Sequence, residues 1–223
     1  MTSPGTAENF RHALFDQFAR IGKALGHAHR LELLEFLAQG ERSVDALARV
    51  SGLSVANTSQ HLRQLRQADL VVTRKEGKIV FYRVSDADVV ALIGQLQRVA
   101  ERHLAKVDQL VSRYLTVKDS LEPLPAAELL ARARDGLVTV IDVRPAEEYR
   151  DGHLPGAVSI PLEQLEKHLR ELDRDKEVIA YCRGPHCVLA FEAVARLRRK
   201  GWQARRLQDG FPEWRMAGFP VER

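Results

Sequence analysis

The spacing of apolar residues in the first part of the chain predicts helices. From Phe10 to Leu25 they recur at steps of three, four and one, which is typical of the stripe on one face of an amphipathic helix. A second apolar run, from about His29 to Ala38, predicts another helix, and Gly40 after it is a stop signal. The chain is therefore expected to begin with two helices in succession.

Two further helical segments are separated by a short glycine turn. Ser43 stands in the N-cap position of the first, and Gly52 and Ser54 lead into the second, VANTSQHLRQLRQADL. Helix, turn and helix in this order predict a helix-turn-helix. In the second helix, the spacing predicts that one set of side chains faces the core: Val55, Thr58, Leu62 and Leu65.

The same spacing leaves a polar face pointing outward on that second helix. Its residues are Asn57, Ser59, Gln60, His61 and Arg63. Amide and hydroxyl side chains with an arginine are suited to reading base edges in a major groove, whereas a solvated helix usually carries Glu and Lys. A recognition helix is the favoured interpretation, and a plain surface helix is the alternative.

A hairpin follows the predicted recognition helix. Two runs of β-branched and aromatic residues flank the turn signal Lys75-Glu76-Gly77-Lys78. Arg74, Lys75 and Lys78 are at or near its tip, where their charges can neutralise phosphates without reading sequence. The pattern favours a DNA-binding wing, and an ordinary solvated hairpin is the alternative.

The second half of the chain alternates between strand and helix patterns. The runs VTVID, AVSIP, EVIAYC and QARRLQ predict strands, and the segments between them predict helices. Such alternation predicts a mostly parallel sheet with helices on both faces. Two prolines, Pro123 and Pro125, and weak periodicity in the segment TVKDSLEPLP predict a linker, with bounds at residues 116–124. We therefore expect a mainly helical α+β winged helix-turn-helix domain at residues 1–115 and an α/β domain at residues 125–223.

Composition and charge agree with two ordinary globular domains. The chain has 223 residues, of which 45% are hydrophobic and 29% charged. Residues 1–119 hold 17 Lys and Arg against 13 Asp and Glu, whereas residues 120–223 hold 17 of each. The basic excess thus lies in the half that carries the predicted DNA reader. No apolar run has signal-peptide or membrane-spanning length, so we expect a cytoplasmic protein with no membrane partner.

The chain contains two cysteines, Cys182 and Cys187, five positions apart. In a reducing compartment this spacing argues against a structural disulfide framework. Cys182 ends a predicted strand, and the next residues lead into a helix, so helix amides and the positive end of the helix dipole would surround its sulfur. These surroundings favour a reactive thiolate. A buried, inert cysteine is the alternative that the spacing leaves open.

The first half resembles the ArsR family of winged-helix repressors through ALGHAHRLELLEFL and LSVANTSQHLRQLRQADLVVTRKEGKIVFYRV, over about residues 10–115. The resemblance implies a homodimer on palindromic double-stranded operator DNA, with the first helix and one long helix over residues 86–115 packed across the two-fold axis. Many relatives bind metal through cysteines near the helix-turn-helix or through His and carboxylate pairs on the last helix. No cysteine precedes Cys182, and His103 has no second His at ligand spacing, so we expect no metal and no cofactor.

Residues 122–223 resemble rhodanese domains. The matching segments are Ile141-Asp142-Val143-Arg144, Glu148-Tyr149, Gly152-His153-Leu154-Pro155-Gly156-Ala157, the loop from Cys182 to Cys187, and Asp209-Gly210-Phe211-Pro212-Glu213-Trp214. The resemblance implies that Cys182 carries sulfane sulfur as a persulfide. Arg183 and the amides of Gly184, His186 and Cys187 would hold the incoming anion. Small donors of this class are thiosulfate, polysulfide and low-molecular-weight persulfides. Four other matching residues would brace the domain: Asp142, Arg144, Glu148 and His153.

Two departures from the rhodanese pattern affect the expected chemistry. Pro185 has no N–H to offer the anion, and Cys187 stands where active sulfurtransferases often have a hydroxyl or basic residue. Weak turnover and a resolving role for Cys187 are therefore expected, with simple packing of Cys187 as the alternative. The favoured hypothesis is a repressor whose operator affinity depends on the sulfur or redox state of Cys182 and Cys187. The alternative is a thiosulfate or persulfide sulfurtransferase with an attached DNA-binding domain.

Overall fold

The computed structural model describes residues 7–116 and 122–223. The chain divides into two compact units, Met1–Ile93 and Gly94–Arg223. The division falls inside a helix, ahead of the predicted linker, and residues 117–121 of that linker lie outside the described residues.

The first unit contains the helix-turn-helix and a three-stranded antiparallel sheet. Its helices are α1 (Ala7–Leu25), α2 (Ala28–Gln39), α3 (Val44–Ser51) and α4 (Val55–Gln67). Its strands are β1 (Arg42–Ser43), β2 (Val71–Glu76) and β3 (Ile79–Val84), in the order β1-β3-β2. The predicted helices and the hairpin are confirmed, and the short strand β1, which the sequence pattern did not indicate, extends the hairpin into a sheet.

The predicted caps place the helix-turn-helix. The Ser43 hydroxyl accepts a hydrogen bond from the Ala46 amide at 3.2 Å, and the Ser54 hydroxyl accepts one from the Asn57 amide at 3.2 Å. Gly52 ends α3 at a φ of 69°, a left-handed conformation that glycine adopts without strain. Local sequence therefore sets the turn between α3 and α4.

The core-facing assignments on α4 are confirmed for three of four residues. Thr58, Leu62 and Leu65 are fully buried, whereas Val55 is 49% exposed. The prediction for Val55 is wrong because it is the first residue of α4, at an end of the helix that the core does not cover.

The ArsR resemblance implied one long helix over residues 86–115, and this prediction is wrong. The structure has α5 (Ala87–His103), α6 (Ala105–Val111) and one π-helical turn (Ser112–Thr116). The break is at Leu104, whose amide still donates to the Ala100 carbonyl at 2.8 Å. Neither proline nor glycine stands there, so the sequence carried no breaker signal.

The second unit is built on a parallel sheet with helices before and after its strands. The strands are β4 (Val138–Asp142), β5 (Val158–Ser159), β6 (Glu177–Tyr181) and β7 (Ala204–Arg206), in the order β5-β4-β6-β7. The helices are α7 (Ala126–Arg134), α8 (Ala146–Asp151), α9 (Leu165–His168), α10 (Val188–Arg199) and α11 (Phe211–Met216). All three strand pairs are parallel, as predicted. The helix predicted around α9 is shorter, with 3₁₀ turns on both sides, and α11 was not predicted as a helix.

Alternate residues of the central strands supply two separate hydrophobic cores. In β6, Val178 and Ala180 belong to one core, and Ile179 and Tyr181 belong to the other. This division follows from the two-residue period of a strand covered on both faces. Leu124 was placed in the linker, but it is fully buried and hydrogen-bonds alongside β7, so it packs as part of this unit.

No helix among the described residues is both long enough and apolar enough to span a membrane.

Candidate DNA-reading surface and cysteine loop

The loop between β6 and α10 joins the two cysteines. Cys182 directly follows β6, and Cys187 is the N-cap residue of α10. Their sulfur atoms are bonded at 2.13 Å, and their Cα atoms are 6.1 Å apart, within the usual range for a disulfide. Cys182 is 1% exposed and Cys187 is 9% exposed. The structure thus holds the loop in its oxidised form with both cysteines buried.

Backbone contacts hold the cysteine loop against the segment that leads into α11. The Phe211 amide donates to the Cys182 carbonyl at 3.0 Å. A Cβ added at Gly210 would lie 2.3 Å from the Gly184 nitrogen and 2.4 Å from the Arg183 carbonyl carbon. Only glycine therefore fits at position 210 without moving the loop.

One of the amides expected to hold an anion is already engaged. The Cys187 amide donates to the Gly184 carbonyl at 3.1 Å, which closes a turn inside the loop. Gly184 and His186 are half-buried in this turn. Within the unit Gly94–Arg223, the His186 Nε2 contacts a carboxylate oxygen of Glu101.

The Arg183 guanidinium is held by a buried carboxylate. Its Nε lies 3.1 and 3.0 Å from the two carboxylate oxygens of Glu148, and its Nη2 lies 2.7 Å from Oε1. The Glu148 side chain is 1% exposed. Because Glu148 neutralises Arg183, this structure directs the guanidinium to an internal partner rather than leaving it available for an incoming anion.

A buried polar network lies at the carboxyl ends of β4 and β6. Asp142 and Arg144 form a fully buried ion pair at 2.5 Å, and the Tyr181 hydroxyl donates to Asp142 Oδ2 at 2.5 Å. Burial, together with the Asp142 charge, raises the pKa of Tyr181 well above its ordinary value, so the hydroxyl stays a donor. These contacts match the bracing role that the rhodanese resemblance implied for Asp142 and Arg144.

His153 also makes structural contacts. Its ring stacks on Tyr149 with a centroid distance of 3.7 Å, and its backbone exchanges hydrogen bonds with Glu222. It therefore ties the end of α8 to the last residues of the chain.

The polar face of α4 is exposed except at two positions. Asn57, Gln60 and Arg63 are exposed, and Ser59 is half-buried. The outward placement of His61 is wrong, because its ring is half-buried against α2.

His61 belongs to a cluster of three histidines. Its ring centroid is 4.5 Å from that of His27 and 5.6 Å from that of His29, and the last two are 5.3 Å apart. Burial, followed by electrostatic interactions with His27, His29 and Arg30, lowers the pKa of His61 below its ordinary value. The His-x-His spacing at 27 and 29 was a signal in the sequence, but nothing local connected it to position 61.

Across the described residues, no group of three or more His, Cys, Asp and Glu side chains is arranged to hold a metal ion.

The wing presents its basic residues unequally. Lys75 and Lys78 are exposed at the β2–β3 turn. Arg74 lies 2.6 Å from a Glu41 oxygen and 2.7 Å from a Glu76 oxygen, and these hydrogen bonds raise its pKa further. The Arg74 charge is therefore compensated within the unit, which the sequence pattern did not indicate.

Two family models match the chain. The model described as "Bacterial regulatory protein, arsR family" matches residues 28–73, and the model described as "Rhodanese-like domain" matches residues 125–217. The HTH-type transcriptional regulator Rv0324 of Mycobacterium tuberculosis is 45% identical over 210 residues, which cover 94% of this chain and 92% of that protein.

Two solved structures are similar to separate parts of the chain. The homodimeric winged helix-turn-helix DNA-binding domain of Mb0332 from Mycobacterium bovis is 40% identical, covering 47% of this chain and 94% of that one with a TM-score of 0.41. A rhodanese-related protein from Thermoplasma volcanium is 27% identical, covering 46% of this chain and 98% of that one, also with a TM-score of 0.41.

The helix-turn-helix, its wing and the full-length similarity define a DNA-binding transcriptional regulator. The chain belongs to the ArsR family of bacterial regulators and carries a rhodanese-like domain after its DNA-binding domain.

Proposed function

We propose that this regulator senses sulfane sulfur or redox state through Cys182 and Cys187, and that the state of the two thiols sets its affinity for operator DNA. The observation that carries the proposal is the proximity of the two sulfur atoms, which are within bonding distance across a five-residue separation. One chain then contains both the thiols that can react with a sulfur donor and the domain that binds DNA.

The thiol chemistry needs a small sulfur donor of the persulfide or polysulfide class. The Cys182 thiolate attacks the terminal sulfane sulfur, the donor's sulfur–sulfur bond breaks, and the donor leaves as a thiolate or a shortened polysulfide. Cys182 then carries a persulfide. The Cys187 thiolate attacks the inner sulfur of Cys182, hydrosulfide leaves, and the disulfide forms. The donor is reduced and the two protein thiols are oxidised, so the electrons balance.

The outward side of α4 is suited to reading bases. Asn57, Gln60 and Arg63 project from it, and exposed Val55 offers an apolar contact of the kind that a thymine methyl accepts. Lys75 and Lys78 of the wing are placed to neutralise phosphates. We assign sequence preference to α4 and general affinity to the wing.

The active form is inferred to be a homodimer in the cytoplasm, where operator DNA is found. Helix α1 exposes Phe10, Phe15 and Phe18, and α5 exposes Leu96 and Val99 at helical spacing. Apolar faces of this kind are typical of interfaces in oligomers. Sedimentation equilibrium checks the inference: Phe15→Glu with Phe18→Glu should shift the chain toward monomer.

The alternative function, sulfurtransferase catalysis, is favoured by the persulfide chemistry itself but opposed by the pairing of Arg183 with Glu148, which competes with an incoming thiosulfate for the guanidinium. Turnover with thiosulfate and cyanide separates the two functions. A reaction that stops after about one equivalent supports sensing, and sustained turnover supports the enzyme.

An electrophoretic mobility shift tests the sensing proposal directly. Operator affinity is compared for protein kept reduced, treated with sodium polysulfide, and treated then reduced again. A reversible change of about 5-fold to 150-fold is expected, the range of typical coupling between two sites. Equal affinity in all three samples contradicts the proposal.

A further inference from the structure

The three-histidine cluster connects α2 to the recognition helix. His27 and His29 lie at the start of α2, and the His27 side chain caps that helix by accepting the His29 amide at 3.2 Å. His61 lies in the middle of α4, beside Gln60. The cluster therefore lies where α4, the element that reads DNA, packs on α2.

The groups that oppose protonation of His61 come from the start of α2, and all are bases: two imidazoles and a guanidinium. They are His27, His29 and Arg30, the last of which is buried and bonded to the Lys23 carbonyl at 2.8 Å and to Gln64 of α4. Glu32 lies 3.6 Å from His29, whose side chain is exposed.

The other elements against α4 do not offset this charge. From α1, Arg20 donates to the Gln67 carbonyl at 2.8 Å, and Lys23 lines the groove beside Gln64. The charged residues of α3 and β2 do not contribute to the pKa shift of His61. These residues are Asp45, Arg49, Arg74, Lys75 and Glu76.

The buried nitrogen of His61 makes protonation of the ring less favourable in the packed arrangement. Its Nδ1 atom is out of contact with solvent and has no hydrogen-bond partner among the described residues. Protonation would bury an N–H without an acceptor and would add a positive charge beside the charge of Arg30. The packed arrangement of α4 on α2 is thus compatible with a neutral His61 ring.

We propose that protonation of the cluster His27–His29–His61 loosens the packing of α4 on α2 and weakens operator binding, which gives the DNA-binding unit a proton-dependent input separate from the thiols.

The pH range follows from the direction of the pKa shift. An unperturbed histidine has a pKa of about 6.5, and that of His61 in the packed state is lower. The loosened state therefore binds more protons than the packed state between these two values. Affinity should fall as the pH drops below about 6.5 and should level off below the lowered pKa.

The test measures operator affinity against pH by fluorescence anisotropy. The full chain carries Cys182→Ser and Cys187→Ser so that thiols do not titrate, and a chelator is present throughout. The probe is a duplex selected from a random library by the unmodified protein near pH 7.5. Lowering the pH from about 7.5 to about 5.5 should weaken binding by more than about threefold.

The variant H27N/H29Q removes the two neighbouring imidazole rings, while Asn at position 27 retains a helix-capping side chain. Its affinity near pH 7.5 should stay within about twofold, and its loss on acidification should fall to about threefold or less. H168Q, which changes a half-buried histidine of the other unit that contacts Glu171, should keep the full response of the parent chain. If H27N/H29Q folds poorly by circular dichroism, H29Q alone preserves the natural cap and should show a partial reduction.

Two results would overturn the proposal. One is tighter binding on acidification, which would mean that attraction between phosphates and protonated histidines dominates. The other is an undiminished acid response in the histidine variants. An NMR titration of the imidazole C–H signals adds a readout that a purely structural role would not move, because the His61 pKa should rise when His27 and His29 are replaced.

Discussion

Cys182 and Cys187 are bonded to each other across a loop, with Cys182 directly after β6 and Cys187 at the N-cap of α10. A change at this bond acts on both the strand end and the helix start. The loop between them also touches Gly210, so its conformation is linked to the segment before α11.

The two thiols should have unequal roles. Cys182→Ser should bind operator DNA normally when reduced but should not respond to polysulfide, because the attacking thiolate is lost. Cys187→Ser should acquire a persulfide on Cys182 but form no intramolecular link. Mass spectrometry of intact, alkylated protein distinguishes these species.

The same samples are then used in a mobility shift. If Cys182→Ser responds to polysulfide as strongly as the unmodified chain, sensing does not act through this loop. Wild-type protein with both thiols alkylated serves as the control for DNA binding in the absence of disulfide chemistry.

Sequence preference and general affinity should be separable. Gln60→Ala should reduce the preference for operator over random DNA, at about 1 to 3 kcal/mol for a lost base contact. Lys78→Ala should weaken binding to both DNAs alike and reduce the slope of affinity against salt by about one. Titrations at several salt concentrations with both duplexes provide the measurement, and an unchanged slope for Lys78→Ala contradicts the wing assignment.

Arg74 should contribute less than Lys75 to the salt dependence of DNA affinity. Arg74 is paired with Glu41 and Glu76, whereas Lys75 is exposed. Arg74→Ala should therefore change the salt slope by less than Lys75→Ala does, because its charge is already compensated. Equal slopes for the two variants would show that DNA draws Arg74 away from its carboxylate partners.

Position 210 should accept only glycine. Gly210→Ala would place a Cβ 2.3 Å from the Gly184 nitrogen, and the resulting displacement should cost about 1 to 3 kcal/mol of unfolding free energy. Gly184→Ala is a matched control, since a Cβ there meets nothing within 4 Å and should change stability by less than about 0.5 kcal/mol. Urea unfolding is followed by the fluorescence of Trp202 and Trp214, both of which lie in the second unit.

Stability should fall sharply when one partner of the buried Asp142–Arg144 ion pair is removed. Asp142→Ala leaves Arg144 charged, fully buried and without its carboxylate, which should cost about 3 to 5 kcal/mol. Replacing both residues, as Asp142→Leu with Arg144→Met, should cost less than the sum of the single changes. The same tryptophan signal reports the result, and additive losses would argue against coupling between the two side chains.

Much of the fold could be predicted because its signals are local. Ser43 and Ser54 cap their helices, Gly52 forms the turn, and alternating apolar residues identify the parallel strands. Cys182 could be placed at a strand end for the same reason. Such patterns act through backbone geometry and burial period within a few residues, so they are visible without knowing what lies opposite.

Two other features were not predicted from the local pattern. The exposure of Val55 and the break at Leu104 left no clear local signal.

The partners that lie far apart in sequence were decided by the tertiary structure alone. Arg183 binds Glu148, 35 positions away, and His61 meets His27 across two helices. The sequence by itself determined which segments form helices and strands, the order of the two domains, and the residue types available for DNA and sulfur chemistry. Only the fold decided which charges are neutralised and which rings meet, because electrostatic and packing energies depend on distances that the order of residues does not specify.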